Sequence, residues 1–332
     1  MHDIAVIVVN WNACQDLRVC LSHLFSEPKP SSDFAVWVID NGSTDGSADM
    51  VAEEFPAVHL IKNPDNRGFS RANNQGIHAA MHERFRYIYL INSDAYVHGA
   101  ETLDRIVEFG DTHPSAGVFG TRVLNTDGSL QLSCRRFHTL AAGFFRNTLL
   151  GKLFPNNKYA RLYLMTDVDH GIARSVDWVS GCSIVIRADL IDKVGALDER
   201  FFMYCEDVDI CKRAWESGSE VWYAPSAVVS HKIGASSDKN ADKMIWEFHR
   251  SWAIYDTKWN PGFRPFRRSA VEIGLWLRAY VRILNRHKAD RNRDADRQQK
   301  AEVKRRADEQ REAERQTATT LKQDADGSKE EV

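Results

Sequence analysis

IAVIVVNWN (4–12) and, one helix length further on, FAVWVIDNGSTDGS (34–47) are the segments that decide the fold of this chain. Each opens on an unbroken apolar, largely β-branched run, the pattern of a strand buried in a parallel sheet, and each ends in small polar residues. Between them, Asp16 to Phe25 carries Leu17, Cys20, Leu21 and Leu24 at helical spacing. Beyond the second strand, Asp45 can N-cap a helix reaching Phe55, and VHLIKN (58–63) reads as a third strand. A Gly/Asn-rich turn then leads into a helix from about Ser70 to Glu83, and YIYLIN (87–92) is a fourth strand ending at Ser93-Asp94. Strand and helix alternate, so the class is α/β with βαβ units. Polar residues cluster at the carboxyl ends of the strands, the edge at which open α/β sheets bind ligands.

Outward from this core the pattern loosens. Residues 110–175 are irregular, with a hairpin expected near Asn125-Thr126-Asp127-Gly128 and a stretch rich in Phe, Leu and Arg up to Met165. VDWVSGCSIVIRADLIDKVGALD (176–198) reads as strand then helix, and a helix starts beside Glu206-Asp207 with Val208, Cys211, Lys212 and Trp215 in phase. VWYAPSAVVSH (221–231) is one more strand or strand pair. From 264 to 288 a basic segment carries Ile273, Trp276, Leu277, Tyr280 and Leu284 on one face, with Arg278, Arg282 and Arg286 four apart on another. That face suits either an anionic membrane surface or docking on a protein. After Lys288 the chain is a charged run with almost no large apolar residue, a solvated helix or disordered tail.

Composition bounds the function classes. Of 332 residues, 43% are apolar and 27% charged, which suits a globular protein of about two domains, or one large α/β domain with an appendage. Forty-four Lys and Arg against 46 Asp and Glu give no basic field, so no nucleic-acid partner is expected. Six scattered cysteines without a CxxC pair read as buried thiols in a reducing compartment. The apolar run at the N-terminus is too short for a signal-peptide core or a membrane span, so a cytoplasmic location is expected, with any membrane contact peripheral.

Four clusters can carry chemistry. NWN (10–12) with DNGSTDGS (40–47) lets backbone N–H groups and carboxylates approach a ligand, although Asp40 and Asp45 also suit a turn and a helix cap. No GxxxxGK[ST] is present, and no GxGxxG stands in the first βα turn, against a P-loop NTPase or a dinucleotide-dependent dehydrogenase. NPDNRGFSRANNQGI (63–77) places Arg67, Arg71, Asn73 and Asn74 at a helix start, which suits a diphosphate or an Asx-rich turn. In INSDA (91–95), Asp94 offers a hard oxygen at a strand end to Mg²⁺ or Mn²⁺. In YCEDVD (204–209), three acids stand among aromatic and apolar residues that can raise a carboxylate pKa toward that of a general base. His231 ends a strand ahead of Gly234; taken alone it suits a core or surface histidine as well as a ligand.

In this order, VIVVNWN, VIDNGSTDGS, NRGFSRANNQG, LINSDA, LNTDGSLQLSCRRF, VSGCSIVIR, GALDERFFMYCEDVDICKR and SHKIGAS resemble a family-2 glycosyltransferase of the bacterial rhamnosyltransferase-like branch, over roughly residues 3–260. The resemblance implies a GT-A fold: a Rossmann-like nucleotide-binding half with a mixed central sheet, plus a C-terminal helical extension. The expected organisation is a glycosyltransferase domain at 1–260, with a nucleotide-sugar-binding half at 1–105 and an acceptor and catalytic half at 106–260. A basic amphipathic helix at 261–288 and a charged tail at 289–332 follow.

The resemblance further implies a nucleotide-sugar donor with Asn10, Asn12, Asp40 and Asn41 near the base and ribose, and Arg71 and Asn74 on the diphosphate side. Asn92-Ser93-Asp94 falls on the family's Asp-x-Asp metal motif, with Asn92 in place of the first acid. Ser93 then lines the donor site, and Asp94 is the one metal ligand from this loop, with His231 as the second. Asp207 matches the catalytic base, Glu206 orients it or touches the acceptor, and Asp209 and Arg213 fix their helix. The expected reaction inverts configuration in one step, from dTDP-L-rhamnose to a lipid-linked saccharide acceptor at the inner face of the cell membrane, in cell-surface polysaccharide assembly. A UDP- or GDP-sugar donor, or a non-catalytic nucleotide-sugar-binding protein on the same scaffold, are the alternatives.

Overall fold

Ile4 to Val8 are completely buried, as a strand covered on both faces must be. In the computed structural model, which describes residues 2–137, 157–232, 241–260, 269, 271–293 and 299–305, they form the middle of strand β1 (His2–Asn10). Helix α1 (Cys14–Leu24) leads to β2 (Phe34–Asp40), α2 (Ser47–Glu54) to β3 (His59–Lys62), and α3 (Phe69–Glu83) to β4 (Phe85–Asn92). β1, β2, β3 and β4 are mutually parallel in the order β3-β2-β1-β4. The register sets Asn10 beside Asp40, and Val9 beside Asn92, so these strand ends form one edge.

Past β4 the sheet becomes mixed. β5 (Ala95–Val97), α4 (Glu101–Thr112), β6 (Ala116–Leu124), β7 (Leu130–Gln131) and β8 (Cys134–Arg135) follow, then α5 (Lys158–Leu164) and β9 (Arg174–Ser175). β10 (Trp178–Val179), β11 (Ser183–Arg187), α6 (Ala188–Val194), α7 (Glu206–Glu216), β12 (Glu220–His231) and α8 (Ala241–Trp259) come next. The sheet continues β4-β11-β6-β12-β5, with β11 antiparallel to both neighbours, and β8 and β10 pair as a separate ribbon.

One expectation changes here and one open alternative is settled. Residues 176–187 are two short strands broken by a turn at 180–182, because Val179 pairs in the ribbon while Ser183 starts the main-sheet strand. Residues 221–231 form one strand, with a shift of register between Ala224 and Val228 beside Pro225, which has no N–H for the ladder. The hairpin expected at 125–128 is present, joining β6 to β7. Part of the Phe/Leu/Arg-rich stretch, residues 138–156, lies outside the described residues, as do Ile233 to Ser236 of the SHKIGAS motif.

α3 packs on β1 and β2 across Gly76, where a Cβ would meet Ile7 at 2.7 Å and Ile39 at 2.9 Å. α7 and α8 are joined through Asp209, which is wholly buried. It pairs with Arg213 at 2.9 Å and Lys258 at 2.7 Å, and accepts from Trp259 Nε1. Arg213 also donates to the carbonyls of Val194, Gly195 and Ala196, so it fixes the neighbouring loop as well as its own helix. All six cysteines are free, and burial pushes the thiols of Cys134 and Cys182 up to about 11.

The chain divides into two compact units, Met1–Glu272 and Ile273–Val332. Residues 271–293 are helical, and Ile273, Trp276, Leu277, Tyr280 and Leu284 are exposed. Of the charged stretch 289–332, residues 289–293 and 299–305 are helical; the rest lie outside the described residues, as do 261–268 and 270. Among the described residues no helix is long and apolar enough to cross a membrane.

Candidate active site

The ends of β1 and β2 are tied together by their own side chains. Asn10 donates through Nδ2 to Asp40 Oδ1 at 3.1 Å and to Ser43 Oγ at 3.2 Å, while Asp40 Oδ2 accepts the Ser43 N–H. Asn12, in the left-handed region at φ 53°, accepts the Thr44 N–H at 2.8 Å. Asn41 accepts from Asn63 Nδ2 and the Arg67 N–H and donates to Asn66. Asn10, Asp40 and Asn41 are buried, so this polar network holds the two loops in one shape before any ligand arrives. Among the described residues the Asn10 side-chain oxygen has no partner. Asp45 does not occupy the cap position of α2, which is Gly46. It accepts from the backbones of Ser47 and Cys14 and so joins α2 to α1.

At the start of α3 the left-handed Gly68 lies against the 201–205 loop: a Cβ there would stand 2.6 Å from Phe202 O, which accepts the Phe69 N–H. Asn74, expected on the diphosphate side, has its amide occupied. Oδ1 accepts the Leu197 N–H at 3.0 Å, and Nδ2 donates to Leu197 O and Glu199 Oε1, which ties α3 to the 195–199 loop. Arg71, one turn earlier, is exposed and pairs with Glu199 at 3.5 Å.

β4 delivers Asn92, and a turn carries the buried Ser93 and Asp94 into β5. β5 pairs antiparallel with β12, Ala95 opposite His231, so Asp94 falls beside the histidine and its carbonyl accepts the Lys232 N–H. His231 Nε2 is 3.3 Å from Asp94 Oδ1, and both side chains are about nine-tenths enclosed (13% and 9% exposed). Asn92 Nδ2 lies 3.4 Å from the same nitrogen. Among the described residues no group of three or more His, Cys, Asp or Glu gathers around a cation position. One carboxylate and one imidazole sharing a partly enclosed position nevertheless fit Mg²⁺ or Mn²⁺, which take few protein ligands and complete their shell with water and phosphate oxygens.

Glu206 and Asp207 open α7. The two residues before them, Tyr204 (φ 71°) and Cys205 (φ 68°), are both in the left-handed region, a conformation that costs energy in a residue with a Cβ and concentrates at functional sites. Asp207 Oδ2 accepts the Gly181 N–H at 2.9 Å and Oδ1 the Val208 N–H at 2.8 Å. Burial raises the Asp207 pKa against these bonds, and raises that of Glu206 well above the carboxylate range, with the Asp207 charge adding to it. Glu206 Oε2 has no partner among the described residues. The two side chains cannot both ionise cheaply, and Asp207, held by two backbone N–H groups at a helix start, is the one equipped to carry the charge.

The turn at 180–182 links the two clusters. Gly181 N bonds Asp207, and Cys182 O accepts the Asn92 N–H at 3.1 Å, so Asp207 and the Asp94 loop are one bond each from the same three residues. Arg135, paired across the ribbon with Trp178 and stacked over its ring at 5.0 Å, places a positive charge whose field reaches Asp207. Sequence reasoning assigned no role to Gly181, Arg135 or Gln131, although all three stand inside quoted motifs; their chemistry depends on neighbours far away in the chain.

This site lies on the carboxyl edge of a sheet that turns from parallel to mixed, with a paired carboxylate and histidine at one side and a buried carboxylate of raised pKa at the other. Residues 5–178 match the family model described as Glycosyl transferase family 2, more than half of the chain, and the protein belongs to that family. Within it the chain falls in the rhamnosyltransferase-like branch. It is 28% identical over 269 residues to the N-acetylglucosaminyl-diphospho-decaprenol L-rhamnosyltransferase of Mycobacterium tuberculosis, covering 78% of this chain and 86% of that protein. It is also 28% identical over 172 residues to the rhamnosyltransferase WbbL of Escherichia coli, covering 49% and 60%. The GT-A fold is shared with the mannosyltransferase PcManGT from Pyrobaculum calidifontis, solved in complex with GDP-Man and Mn²⁺. That likeness has a TM-score of 0.52 at 16% identity, over 83% of this chain and 72% of the other.

Proposed function

We propose that this glycosyltransferase moves L-rhamnose from dTDP-L-rhamnose, with inversion, to a hydroxyl of a lipid-linked saccharide in cell-surface polysaccharide assembly. The observation that carries the transfer chemistry is the setting of Asp207: a carboxylate oriented by two backbone N–H groups, with its pKa raised by burial, one turn of chain from the Asp94 loop. The donor and acceptor rest on likeness to the two rhamnosyltransferases, one of which is named for a decaprenol diphosphate acceptor.

In this reading Asp207 takes the proton of the acceptor hydroxyl as its oxygen bonds to the anomeric carbon, and the bond from that carbon to the diphosphate oxygen breaks with its electron pair leaving on the diphosphate. Glu206, protonated beside it, donates a hydrogen bond that orients the acceptor. Asn10, Asn12, Asp40, Asn41 and Ser93 shape the pocket for base and ribose, the free acceptor oxygen of Asn10 being the atom available there. Arg71 lies at the first turn of α3, where positive charge offsets the diphosphate, and Asn74 holds that helix in place through Leu197. Asp94 and His231 would hold Mg²⁺ or Mn²⁺, which when bound would supply charge stabilisation to the diphosphate. The exposed stripe Ile273, Trp276, Leu277, Tyr280 and Leu284, with Arg278, Arg282 and Arg286 on the same helix, rests the enzyme on the inner face of the cell membrane.

The test is thermal stabilisation by dTDP, UDP, GDP and their common sugars, each with Mg²⁺, Mn²⁺ or chelator. A metal-dependent shift selective for dTDP and dTDP-rhamnose is expected. Selectivity for UDP or GDP replaces the donor and keeps the mechanism, and no shift with any of them overturns the catalytic reading.

A further inference from the structure

The β6–β7 hairpin carries an unbroken relay of side-chain hydrogen bonds that ends on His231. Asp127 Oδ1 accepts from Ser129 Oγ at 2.5 Å, and Ser129 Oγ accepts from Asn125 Nδ2 at 2.9 Å. Asn125 Oδ1 accepts from Gln131 Nε2 at 2.9 Å, and Gln131 Oε1 lies 2.8 Å from His231 Nδ1. The strand register explains the meeting. β6 lies between β12 and β7, with Val123 opposite both Val229 and Gln131, so the hairpin brings its amides to the end of β12.

The direction of the relay is not free. An ionised carboxylate only accepts, so Ser129 gives its one proton to Asp127, and its oxygen must then accept from Asn125. Asn125 therefore turns its carbonyl toward Gln131, Gln131 turns its NH₂ toward Asn125, and the Gln131 carbonyl faces the ring. An acceptor at that place demands a proton on Nδ1, which in the neutral imidazole leaves Nε2 with its lone pair. Nε2 is the nitrogen 3.3 Å from Asp94, the position assigned above to a divalent cation.

We propose that Gln131 is a positioning residue that fixes His231 in the Nδ1–H tautomer and thereby makes Nε2 a cation ligand, with Asn125, Ser129 and Asp127 setting its orientation. Hydrogen bonds to the far nitrogen of a ligating histidine are what hold its ring and tautomer, and their loss typically lowers metal affinity by roughly 10- to 100-fold. The inference rests on the Asp94–His231 reading for its consequence, while the tautomer stands independently of it.

The test compares the wild-type protein with Gln131→Met, which fills the same space without an acceptor, and Gln131→Glu, which accepts through either oxygen. Two-bond ¹H–¹⁵N spectra of the ¹⁵N-histidine-labelled protein, with His231 assigned by its loss in His231→Gln, read the tautomer. Free Mn²⁺ measured by electron paramagnetic resonance reads the affinity. The expected result is a protonated Nδ1 in the wild type and Gln131→Glu, a mixed or inverted tautomer in Gln131→Met, and Mn²⁺ binding weakened roughly 10- to 100-fold in Gln131→Met but within a few-fold of wild type in Gln131→Glu. An unchanged tautomer in Gln131→Met overturns the proposal. Absence of Mn²⁺ binding by the wild type, with the tautomer shift intact, overturns the cation site and leaves the relay standing.

Discussion

Asp207 Oδ2 accepts the backbone N–H of Gly181 at 2.9 Å, and the place of Gly181 between Ser180 and Cys182 is what sets the carboxylate beside the strand-end loops. A Cβ at 181 would stand 3.3 Å from Asp207 Cβ, a tight contact that would press on the acid. Together with the Val208 N–H on Oδ1, this bond fixes the orientation of the carboxylate.

Asp207→Asn is expected to lower kcat by about 10²- to 10⁴-fold, the usual contribution of a general base, with donor affinity within a few-fold of wild type. Steady-state transfer rates together with donor binding check this. A variant turning over at the normal rate removes Asp207 from the role.

Wild-type activity should fall on the acid side with a limb above the ordinary aspartate range near pH 4, because burial raises the Asp207 pKa and the base acts only when ionised. The pH profile of kcat/KM reads the limb directly. A profile flat down to pH 4 contradicts it.

Glu206→Gln separates the two acids by stability. Glu206 binds its proton more tightly folded than unfolded, so its favourable contribution is complete below the unfolded pKa and is lost as pH rises through the raised folded value. Glutamine has nothing to lose. The melting temperature of the variant relative to wild type should therefore climb between pH 4 and pH 8, and a constant difference across that range would refute the raised pKa.

Gly68→Ala and Gly46→Ala form a matched pair. Both glycines have positive φ, but only at 68 does a Cβ collide with backbone, Phe202 O at 2.6 Å. Gly46→Ala should cost about 1 kcal/mol. Gly68→Ala should cost about 1–3 kcal/mol more and reduce turnover, since relief requires movement of the 201–205 loop, which leads into the helix that carries Asp207. Urea unfolding and activity on both variants give the comparison.

Removing the charge of Asp209 leaves Arg213 and Lys258 around a buried position. Asp209→Asn should destabilise by about 3 kcal/mol in urea unfolding, a value typical of breaking a buried ion pair from one side.

How much of this was legible in the chain follows the range of the forces involved. The four parallel strands and the three helices of the first 92 residues could be read from IAVIVV, FAVWVID, VHLIKN and YIYLIN with the helical spacing between them, because burial periodicity is local, whereas the three-residue β5 (Ala95–Val97) could not. Polar strand ends were legible for the same reason. The split of 176–187 was not: Val179 and Ser183 belong to different sheets, a choice made by their partners Cys134 and Ile91. Asn74 looked like a ligand residue beside a helix start, and nothing nearby in the chain indicates that Leu197 would occupy its amide.

The sequence by itself determined the class of fold, the carboxyl edge as the site and, through ordered motifs, the family, since strand patterning and motif order need no knowledge of distant contacts. Only the tertiary structure decided which groups meet. Antiparallel pairing of β5 with β12 puts Asp94 next to His231, the β6–β7 hairpin brings Gln131 to the far side of the ring, and the 180–182 turn hands Gly181 to Asp207. Hydrogen bonds act over about 3 Å, and that distance is set by how the sheet closes rather than by spacing along the chain.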